Sequence, residues 1–179
     1  MATTKLKGNI VNLKGTEINV GDSAPSVKVV AQDLSEITIG SDAQKAQILI
    51  VVPSLDTAVC ASETRRFNTE AAKIKNAEVV VVSMDLPFAM GRFCTTEGIA
   101  NLKVGSDFRN KDLALAYGVL IADGPLAGIS ARAIFIIDAK GKIVYKEICP
   151  EITEEPEYEA VLKIAKEKLT SNCCGGSCN

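Results

Sequence analysis

Two short apolar runs constrain the fold of this chain more than any other feature of its sequence. They are residues 47–52 (QILIVV) and 77–84 (AEVVVVSM), both rich in β-branched side chains. Continuous apolar runs of this length are typical of strands that are buried on both faces in a parallel or mixed sheet. Between them, Phe67, Ala71 and Ile74 recur at the spacing of one helical face. The pattern predicts a strand–helix–strand unit, which favours an α/β fold.

Weaker patterns extend this unit into a mixed central sheet flanked by helices on both faces. Alternation over residues 9–20 around Lys14-Gly15 predicts an N-terminal β-hairpin. The other predicted elements are a helix at 87–97 that stops at Gly98, a weak strand at 102–105, a short helix at 110–117, a hairpin of 132–138 with 142–148, and a last helix from Pro156. This order fits a thioredoxin-like fold.

Length and composition limit the classes of protein and of partner. The 179 residues fit one domain, which we predict over residues 1–170, followed by a flexible cysteine-rich tail at 171–179. Lys and Arg number 20 against 22 Asp and Glu, so no basic excess favours nucleic acid as a partner. No apolar run is long enough for a signal peptide or a membrane span, so a cytoplasmic location without a membrane partner is expected.

The chain contains no His, which excludes Ser-His-Asp triads, Cys-His pairs and His-ligated metal sites. Cys60 is predicted in the first turn of a helix, where free backbone N–H groups and the helix dipole favour the thiolate. Thr57 lies one helical turn earlier, so its hydroxyl can reach the sulfur or cap the helix. Pro53 stiffens the start of the loop. Arg132, at a predicted strand end, and Arg66, six residues after Cys60 and therefore weaker, are the candidate cations.

Pro53, Thr57 and Cys60 form the pattern Pro-x-x-x-Thr-x-x-Cys, which matches the active-site motif of peroxiredoxins. Longer segments match in the same order: VPSLDTAVCASETRRFN, VVSMDLPFAMGRFC, GSDFR, YGVLIADGPLAGISARAIFIID and EITEEPEYEAVL. With these segments the chain resembles the bacterial thiol peroxidases, an atypical two-cysteine group of peroxiredoxins, from about residue 9 to residue 169. One departure is Ala58, where many members have Pro.

The resemblance implies a role for each residue of the site. Cys60 matches the peroxidatic cysteine, and Cys94 matches the resolving cysteine. Thr57 and Arg132 match the residues that hold the peroxide and stabilise the thiolate, and Pro53 matches the shielding proline. The family is similar to thioredoxin in fold, is usually a homodimer, takes its electrons from thioredoxin, and uses no metal or organic cofactor.

The expected activity is reduction of hydrogen peroxide and alkyl hydroperoxides through a sulfenic acid on Cys60, which Cys94 resolves as an intrachain disulfide. We expect both cysteines at the starts of helices, 34 positions apart in sequence, and too distant to bond until one helix start unravels. The alternative is a redox-sensing binding protein that stalls after one oxidation. A thiol–disulfide oxidoreductase is disfavoured, because the helix start reads Cys-Ala-Ser-Glu where such proteins have Cys-x-x-Cys.

The remaining cysteines lie outside the family pattern. Cys149 is interpreted as a small buried residue at a strand end. Cys173, Cys174 and Cys178 are interpreted as reactive thiols in a disordered tail. Two alternatives stay open: a metal site that takes its fourth ligand from Cys149 or a second chain, and an internal reductant for the expected disulfide.

Overall fold

The structure is a computed structural model that describes residues 2–169, and this range contains ten β-strands and four α-helices. The strands are β1 (Thr3–Leu6), β2 (Asn9–Lys14), β3 (Val27–Ala31), β4 (Glu36–Ile39), β5 (Ala46–Val51), β6 (Ala77–Ser83), β7 (Lys103–Ser106), β8 (Leu120–Ile121), β9 (Ala133–Ile137) and β10 (Ile143–Ile148). The helices are α1 (Ala58–Ala71), α2 (Pro87–Glu97), α3 (Asp112–Ala116) and α4 (Tyr158–Leu169).

Seven strands form one mixed sheet in the order β10-β9-β5-β6-β7-β3-β4. The central strands β5, β6 and β7 are parallel, whereas β9, β10, β3 and β4 pair antiparallel with their neighbours. The two apolar runs form β5 and β6, and β5 pairs along its whole length, from Ala46 opposite Ala77 to Val51 opposite Val82. The predicted strand–helix–strand unit and the mixed sheet are therefore confirmed. A separate sheet contains β1, β2 and β8.

Side chains of β5 and β6 alternate between two hydrophobic cores, one on each face of the sheet. Ile48 and Val81 belong to the core formed with α1, α2 and α4. Leu49 and Val80 belong to the core formed with α3, β3 and β4. Burying one such side chain stabilises the fold by roughly 1.5–3 kcal/mol. Helices cover both faces, which confirms the predicted thioredoxin-like class, and α1 begins just beyond the end of β5.

The predicted helix at 87–97 is confirmed at both ends. Pro87 lies in the first turn of α2. Backbone N–H groups in this turn have no intrahelical acceptor, so proline, which lacks the N–H, loses no hydrogen bond there. Gly98 ends α2 with φ 66°, a left-handed conformation that glycine adopts without steric cost. The second predicted hairpin is also present, as β9 and β10.

The predicted position of the N-terminal hairpin is wrong, although a hairpin is present. It joins β1 to β2 through a turn at Lys7 and Gly8, both of which have positive φ. At the predicted turn, β2 ends at Lys14 and the chain does not fold back on itself. A Cβ at Gly15 would instead collide with the backbone of Leu115 in α3. This close tertiary approach, rather than a hairpin, accounts for the glycine.

Strands β3 and β4 lie in a stretch for which no element is predicted from the sequence. They form a hairpin, with Leu34 in the turn at φ 69°, and extend the sheet beyond β7. Each is only four or five residues long, and β4 begins with the charged Glu36. Apolar periodicity over such short segments is too weak to distinguish a strand from a loop.

The predicted tail at 171–179 lies outside the described residues, so its flexibility and the domain boundary at residue 170 stay predictions. Within residues 2–169, no helix has both the length and the apolar character that crossing a bilayer requires.

Gly105 tests the packing of β7 against β3. A Cβ added there would collide with the side chain of Val29 on β3. We expect Gly105→Ala to lower the free energy of unfolding by roughly 1–3 kcal/mol, the usual cost of overpacking. In the control variant Gly91→Ala, the new Cβ meets Gln32 at an ordinary 3.8 Å. Removing this glycine from the interior of α2 should raise the free energy of unfolding by about 0.5–1 kcal/mol. Urea unfolding measures both, and equal effects would contradict the packing described.

Candidate active site

Cys60 is the third residue of α1, and its side chain is fully buried, with 0% exposure. The N-cap of this helix is Thr57, whose backbone is extended at φ −115° and ψ 149°. The Thr57 Oγ1 atom accepts a hydrogen bond from the Cys60 backbone N–H at 3.3 Å. The unpaired N–H groups of the first turn and the helix dipole place partial positive charge around this cysteine. The structure thus has Cys60 where the sequence predicted it.

Arg132 directly precedes β9 and is buried against the start of α1, with 2% exposure. Its Nη2 donates to the Cys60 Sγ at 3.3 Å, and its Nε donates to the Ile152 carbonyl at 3.1 Å. Its Nη1 donates to a carboxylate oxygen of Glu63, with which it forms an ion pair. The guanidinium is therefore held in one orientation by three partners, and one of them is the candidate nucleophile.

The other candidate cation, Arg66, is not part of this arrangement. Its guanidinium stacks over the Tyr158 ring at 4.2 Å from the centroid. It also lies 3.7 Å from a carboxylate oxygen of Glu159, which is largely exposed. Of the two arginines considered from the sequence, the structure brings Arg132 to the sulfur.

Glu63 belongs to the site and was missed by the sequence analysis. It lies three residues after Cys60 on the buried face of α1 and is 0% exposed. Burial raises the pKa of Glu63 to about 7, and the neighbouring Arg132 guanidinium opposes the rise. Its Oε1 has no hydrogen-bond partner among residues 2–169. The signal in the sequence was a charged residue between Cys60 and Phe67, on a helical face that is otherwise uncharged.

The predicted position of Cys94 at a helix start is wrong. Cys94 is the eighth of the eleven residues of α2, and its carbonyl accepts the N–H of Gly98 at the C-terminal end. It packs in the same hydrophobic core as Cys60, and neither cysteine is in a disulfide. Burial raises the pKa of the Cys94 thiol. The structure places both cysteines against one core, but it holds Cys94 within a folded helix.

The loop between β5 and α1 contains Pro53, which is buried. The side chain of Asp85 binds this loop. The Asp85 carboxylate accepts a hydrogen bond from the Ser54 hydroxyl at 2.8 Å and one from the Leu55 backbone N–H at 2.7 Å. The Thr57 hydroxyl donates to the Ser54 carbonyl at 3.3 Å. This loop is therefore tied to the segment between β6 and α2, where Asp85 lies.

Cys149 follows β10 and is buried, as expected for a residue that packs at a strand end. Burial and the nearby Glu147 carboxylate raise the pKa of Cys149 to about 12. A thiol with this pKa is a poor nucleophile at neutral pH, because the thiolate is the reactive form.

The arrangement around Cys60 suits chemistry in which sulfur carries negative charge. A fixed guanidinium and the amides of a helix start both stabilise such charge, and neither depends on an imidazole. Among the side chains of residues 2–169, no three His, Cys, Asp or Glu are grouped so that they could hold a metal ion. The metal and reductant alternatives for Cys173, Cys174 and Cys178 concern residues outside the described range.

Glu63 makes stability depend on pH in a chain that has no His. Its pKa is about 7 in the folded chain against an ordinary 4.5, so the folded state binds its proton more tightly. The stability from this proton is complete below pH 4.5 and is lost as the pH rises through 7. The shift corresponds to about 3 kcal/mol of unfolding free energy. Urea unfolding from pH 4.5 to 8 should show this decline in the wild type and a flatter curve in Glu63→Gln. Parallel curves would contradict the assignment, and the exposed Glu159→Gln is the control.

Comparison with known proteins agrees with this geometry. The redoxin family model matches residues 19–162 of the chain. A thiol peroxidase of Campylobacter jejuni is 54% identical over 176 residues, which are 98% of this chain and 98% of the relative. A thiol peroxidase of Aquifex aeolicus is 52% identical over 93% of this chain and 98% of the relative.

Solved structures give the same result. The crystal structure of a peroxiredoxin-like protein from Aquifex aeolicus has a TM-score of 0.90 at 51% identity, covering 93% of this chain and 97% of that one. A thiol peroxidase from Chromobacterium violaceum has a TM-score of 0.84 at 21% identity, over 94% of this chain and 98% of that one, and supports the fold alone. The chain therefore belongs to the redoxin family, and within it to the thiol peroxidases, which are peroxiredoxin-type enzymes.

Proposed function

We propose that this thiol peroxidase reduces hydrogen peroxide and alkyl hydroperoxides through a sulfenic acid on Cys60. Cys94 then resolves the sulfenic acid as an intrachain disulfide, which thioredoxin reduces. The observation that carries the proposal is the 3.3 Å hydrogen bond from Arg132 Nη2 to the Cys60 Sγ, at the start of a helix. Both the guanidinium and the helix start stabilise the thiolate, which is the nucleophilic form of cysteine.

In the first step the Cys60 thiolate attacks one oxygen of the hydroperoxide. An S–O bond forms and the O–O bond breaks, and the leaving oxygen takes the electron pair and a proton to give water or an alcohol. Arg132 and Thr57 donate hydrogen bonds to the two oxygens while negative charge develops on the leaving one. The Thr57 hydroxyl donates to the Ser54 carbonyl in the absence of substrate, so it turns toward the peroxide when substrate binds. Pro53 shields the site from water.

In the second step the Cys94 sulfur attacks the Cys60 sulfur. An S–S bond forms, the S–O bond breaks, and the departing hydroxide takes a proton to give water. Cys94 is only 8% exposed, and burial raises the pKa of its thiol, so its nucleophilic form is disfavoured within the folded helix. Local unwinding of the start of α1, or of α2 around Cys94, is therefore part of the proposal, because it brings the sulfurs together and hydrates the thiol.

The remaining parts of the proposal concern partners and location, and they rest on resemblance to peroxiredoxins. Thioredoxin opens the disulfide by thiol–disulfide exchange, and no metal or organic cofactor takes part. The enzyme acts in the cytoplasm as a homodimer, and sedimentation velocity tests the dimer. Exposed Leu86 and Phe88 at the start of α2 supply apolar surface that a partner subunit would cover.

Steady-state oxidation of NADPH, with thioredoxin and its reductase present, tests the proposed cycle across several hydroperoxides. We expect continuous turnover in the wild type and none in Cys60→Ser, because the attacking sulfur is gone. Cys94→Ser should form one sulfenic acid per chain and then stop, as trapping with dimedone and mass spectrometry would show.

The control for this experiment is Cys149→Ser, which removes another buried thiol and should retain turnover. Turnover that survives in Cys60→Ser would overturn the proposal. A wild-type reaction that stops after one oxidation, even with reduced thioredoxin in excess, would favour the redox-sensing alternative.

The role of Arg132 is tested by the variant Arg132→Met. Removing a preorganised hydrogen-bond donor costs roughly 100- to 1000-fold in rate, so Cys60 oxidation should slow by about that factor. The single variant also leaves Glu63 buried without its ion pair, which favours its protonated form and lowers stability. The double variant Arg132→Met/Glu63→Gln removes this penalty. Its Cys60 should be oxidised as slowly as in Arg132→Met. Single-turnover mixing measures the rates, Arg66→Met is the control, and wild-type rates in the double variant would contradict the role.

A further inference from the structure

Asp85 lies between β6 and α2 and makes polar contacts with both the sheet and the loop before Cys60. Its carboxylate accepts three hydrogen bonds, from the Ser54 hydroxyl at 2.8 Å, the Leu55 N–H at 2.7 Å and the Ser83 hydroxyl at 2.7 Å. Two of these three donors belong to the loop that leads into α1. Hydrogen bonds to an ionised acceptor are stronger than those between neutral groups. The carboxylate is thus the main polar anchor described for this loop.

The anchor continues from Ser54 to Cys60 through the loop itself. The Ser54 carbonyl accepts a hydrogen bond from the Thr57 hydroxyl at 3.3 Å. The Thr57 Oγ1 in turn accepts the backbone N–H of Cys60 at 3.3 Å. Ser54 and Thr57 therefore connect Asp85 to the backbone of the reacting cysteine. We refer to Asp85, Ser54 and Thr57 as the relay.

The backbone of Asp85 is hydrogen-bonded to residues at the C-terminal ends of the central strands β6 and β7. Its N–H donates to the Ser83 hydroxyl at 3.1 Å, and its carbonyl accepts a hydrogen bond from the Ser106 hydroxyl. Ser83 and Ser106 are both buried, at the ends of β6 and β7. Asp85 is therefore a rigid support, whereas the loop that it holds is exposed over Asp56 and Thr57.

Asp85 also stands at the start of the helix that contains Cys94. Leu86 is the N-cap of α2, and its side chain makes no capping hydrogen bond. A cavity of about 290 Å³ is lined by Leu55 and Asp56 of the loop, by Asp85, and by Arg92 of α2. Asp85 thus joins the loop of the attacking cysteine to the start of the helix of the resolving cysteine, beside open space.

We propose that Asp85 is a positioning residue that controls how readily the Cys60 loop opens. While the Asp85 carboxylate holds Ser54 and Leu55, the first turn of α1 stays in the arrangement in which Cys60 contacts Arg132, and the Thr57 hydroxyl can still turn toward the peroxide. When the carboxylate releases these two residues, the loop is freed and the first turn of α1 can unwind toward Cys94. The inference rests on the proposed function, because in it Asp85 sets the balance between two steps of the cycle. These are the attack of Cys60 on peroxide (the peroxide step) and the attack of Cys94 on Cys60 (the disulfide step).

Opposite effects on the two chemical steps follow from this role. The peroxide step needs Thr57 and Arg132 together at the sulfur, so loss of the carboxylate slows it. The disulfide step needs the opened loop, so loss of the carboxylate speeds it. A merely destabilising change would lower stability and would not move the two steps in opposite directions. We expect each rate to change by about tenfold, since a hydrogen bond to a charged group is worth at least that factor.

The test compares Asp85→Asn with Asp56→Asn in the full-length chain. Asp56→Asn removes the same charge from the wall of the same cavity, and within residues 2–169 the Asp56 carboxylate has no hydrogen-bond or ion-pair partner. Cys60 oxidation by hydrogen peroxide is measured in a Cys94→Ser background, and disulfide closure is measured with Cys94 present. Asp85→Asn should show slower oxidation, faster closure and less sulfinic acid at high peroxide, with Asp56→Asn like the wild type.

Ser54→Ala keeps the inference testable if Asp85→Asn folds poorly. It breaks the relay and leaves Asp85 bonded to Leu55 and Ser83, so a smaller shift of the same sign is expected. Asp85→Glu keeps an ionised acceptor and should restore part of the wild-type balance. In a double-mutant cycle, Asp85→Asn and Ser54→Ala should be non-additive. Unchanged rates in Asp85→Asn, or both rates falling together with thermal stability, would overturn the inference.

The inference and the proposed function fail in different ways. If Cys60→Ser retains peroxide turnover, the proposed function fails whatever Asp85 does. The relay is tested independently of peroxide by the rate at which iodoacetamide alkylates Cys60, which is fully buried in the closed arrangement. Asp85→Asn should raise this rate about tenfold over Asp56→Asn, by the same conversion. Equal alkylation rates in the two variants would overturn the role of Asp85 even with the peroxidase cycle intact.

Discussion

A buried guanidinium constrains this structure more than any other single group. Arg132 is bonded to Cys60 and Glu63 on α1 and to the carbonyl of Ile152 after β10. A buried charge that loses its partner costs several kcal/mol. The folded state is therefore most stable when α1, β9 and the segment after β10 are all in their positions around Arg132. The contacts that Arg132 makes within the fold are therefore also the contacts that hold the Cys60 sulfur.

Parts of the site that are local in sequence were predictable, and parts that depend on distant contacts were not. The strand, loop and helix around Cys60 are contiguous, so apolar periodicity placed the cysteine in its helical turn. The bond from Arg132 joins residues 72 positions apart, so no local pattern specifies it, and the resemblance to peroxiredoxins was what pointed to this contact. Glu63 was visible as the one charge on the face of α1 that contains Cys60 and Phe67, but its partner Arg132 is supplied only by the fold. The helix that contains Cys94 was predicted correctly, but Cys94 lies in its last turn and not at its start.

The N-terminal hairpin shows the same division between local and distant information. Two Lys-Gly pairs, Lys7-Gly8 and Lys14-Gly15, are equally suited to a turn, and local preference cannot choose between them. The first forms the turn, and the second lies where the backbone approaches Leu115. Glycine supports a positive φ in both, but for different reasons. Without the tertiary contact, the sequence alone had no means to rank the two.

Burial of the three cysteines in residues 2–169 limits their exchange with other thiols. A sulfur enclosed by packed side chains exchanges with an outside thiol only when the protein opens, whatever the concentration of that thiol. A chain with six cysteines is exposed to scrambling, in which wrong pairs form and persist. Because the three cysteines in residues 2–169 are buried, each can pair only after its own segment opens. The order in which these segments open therefore decides which sulfurs meet.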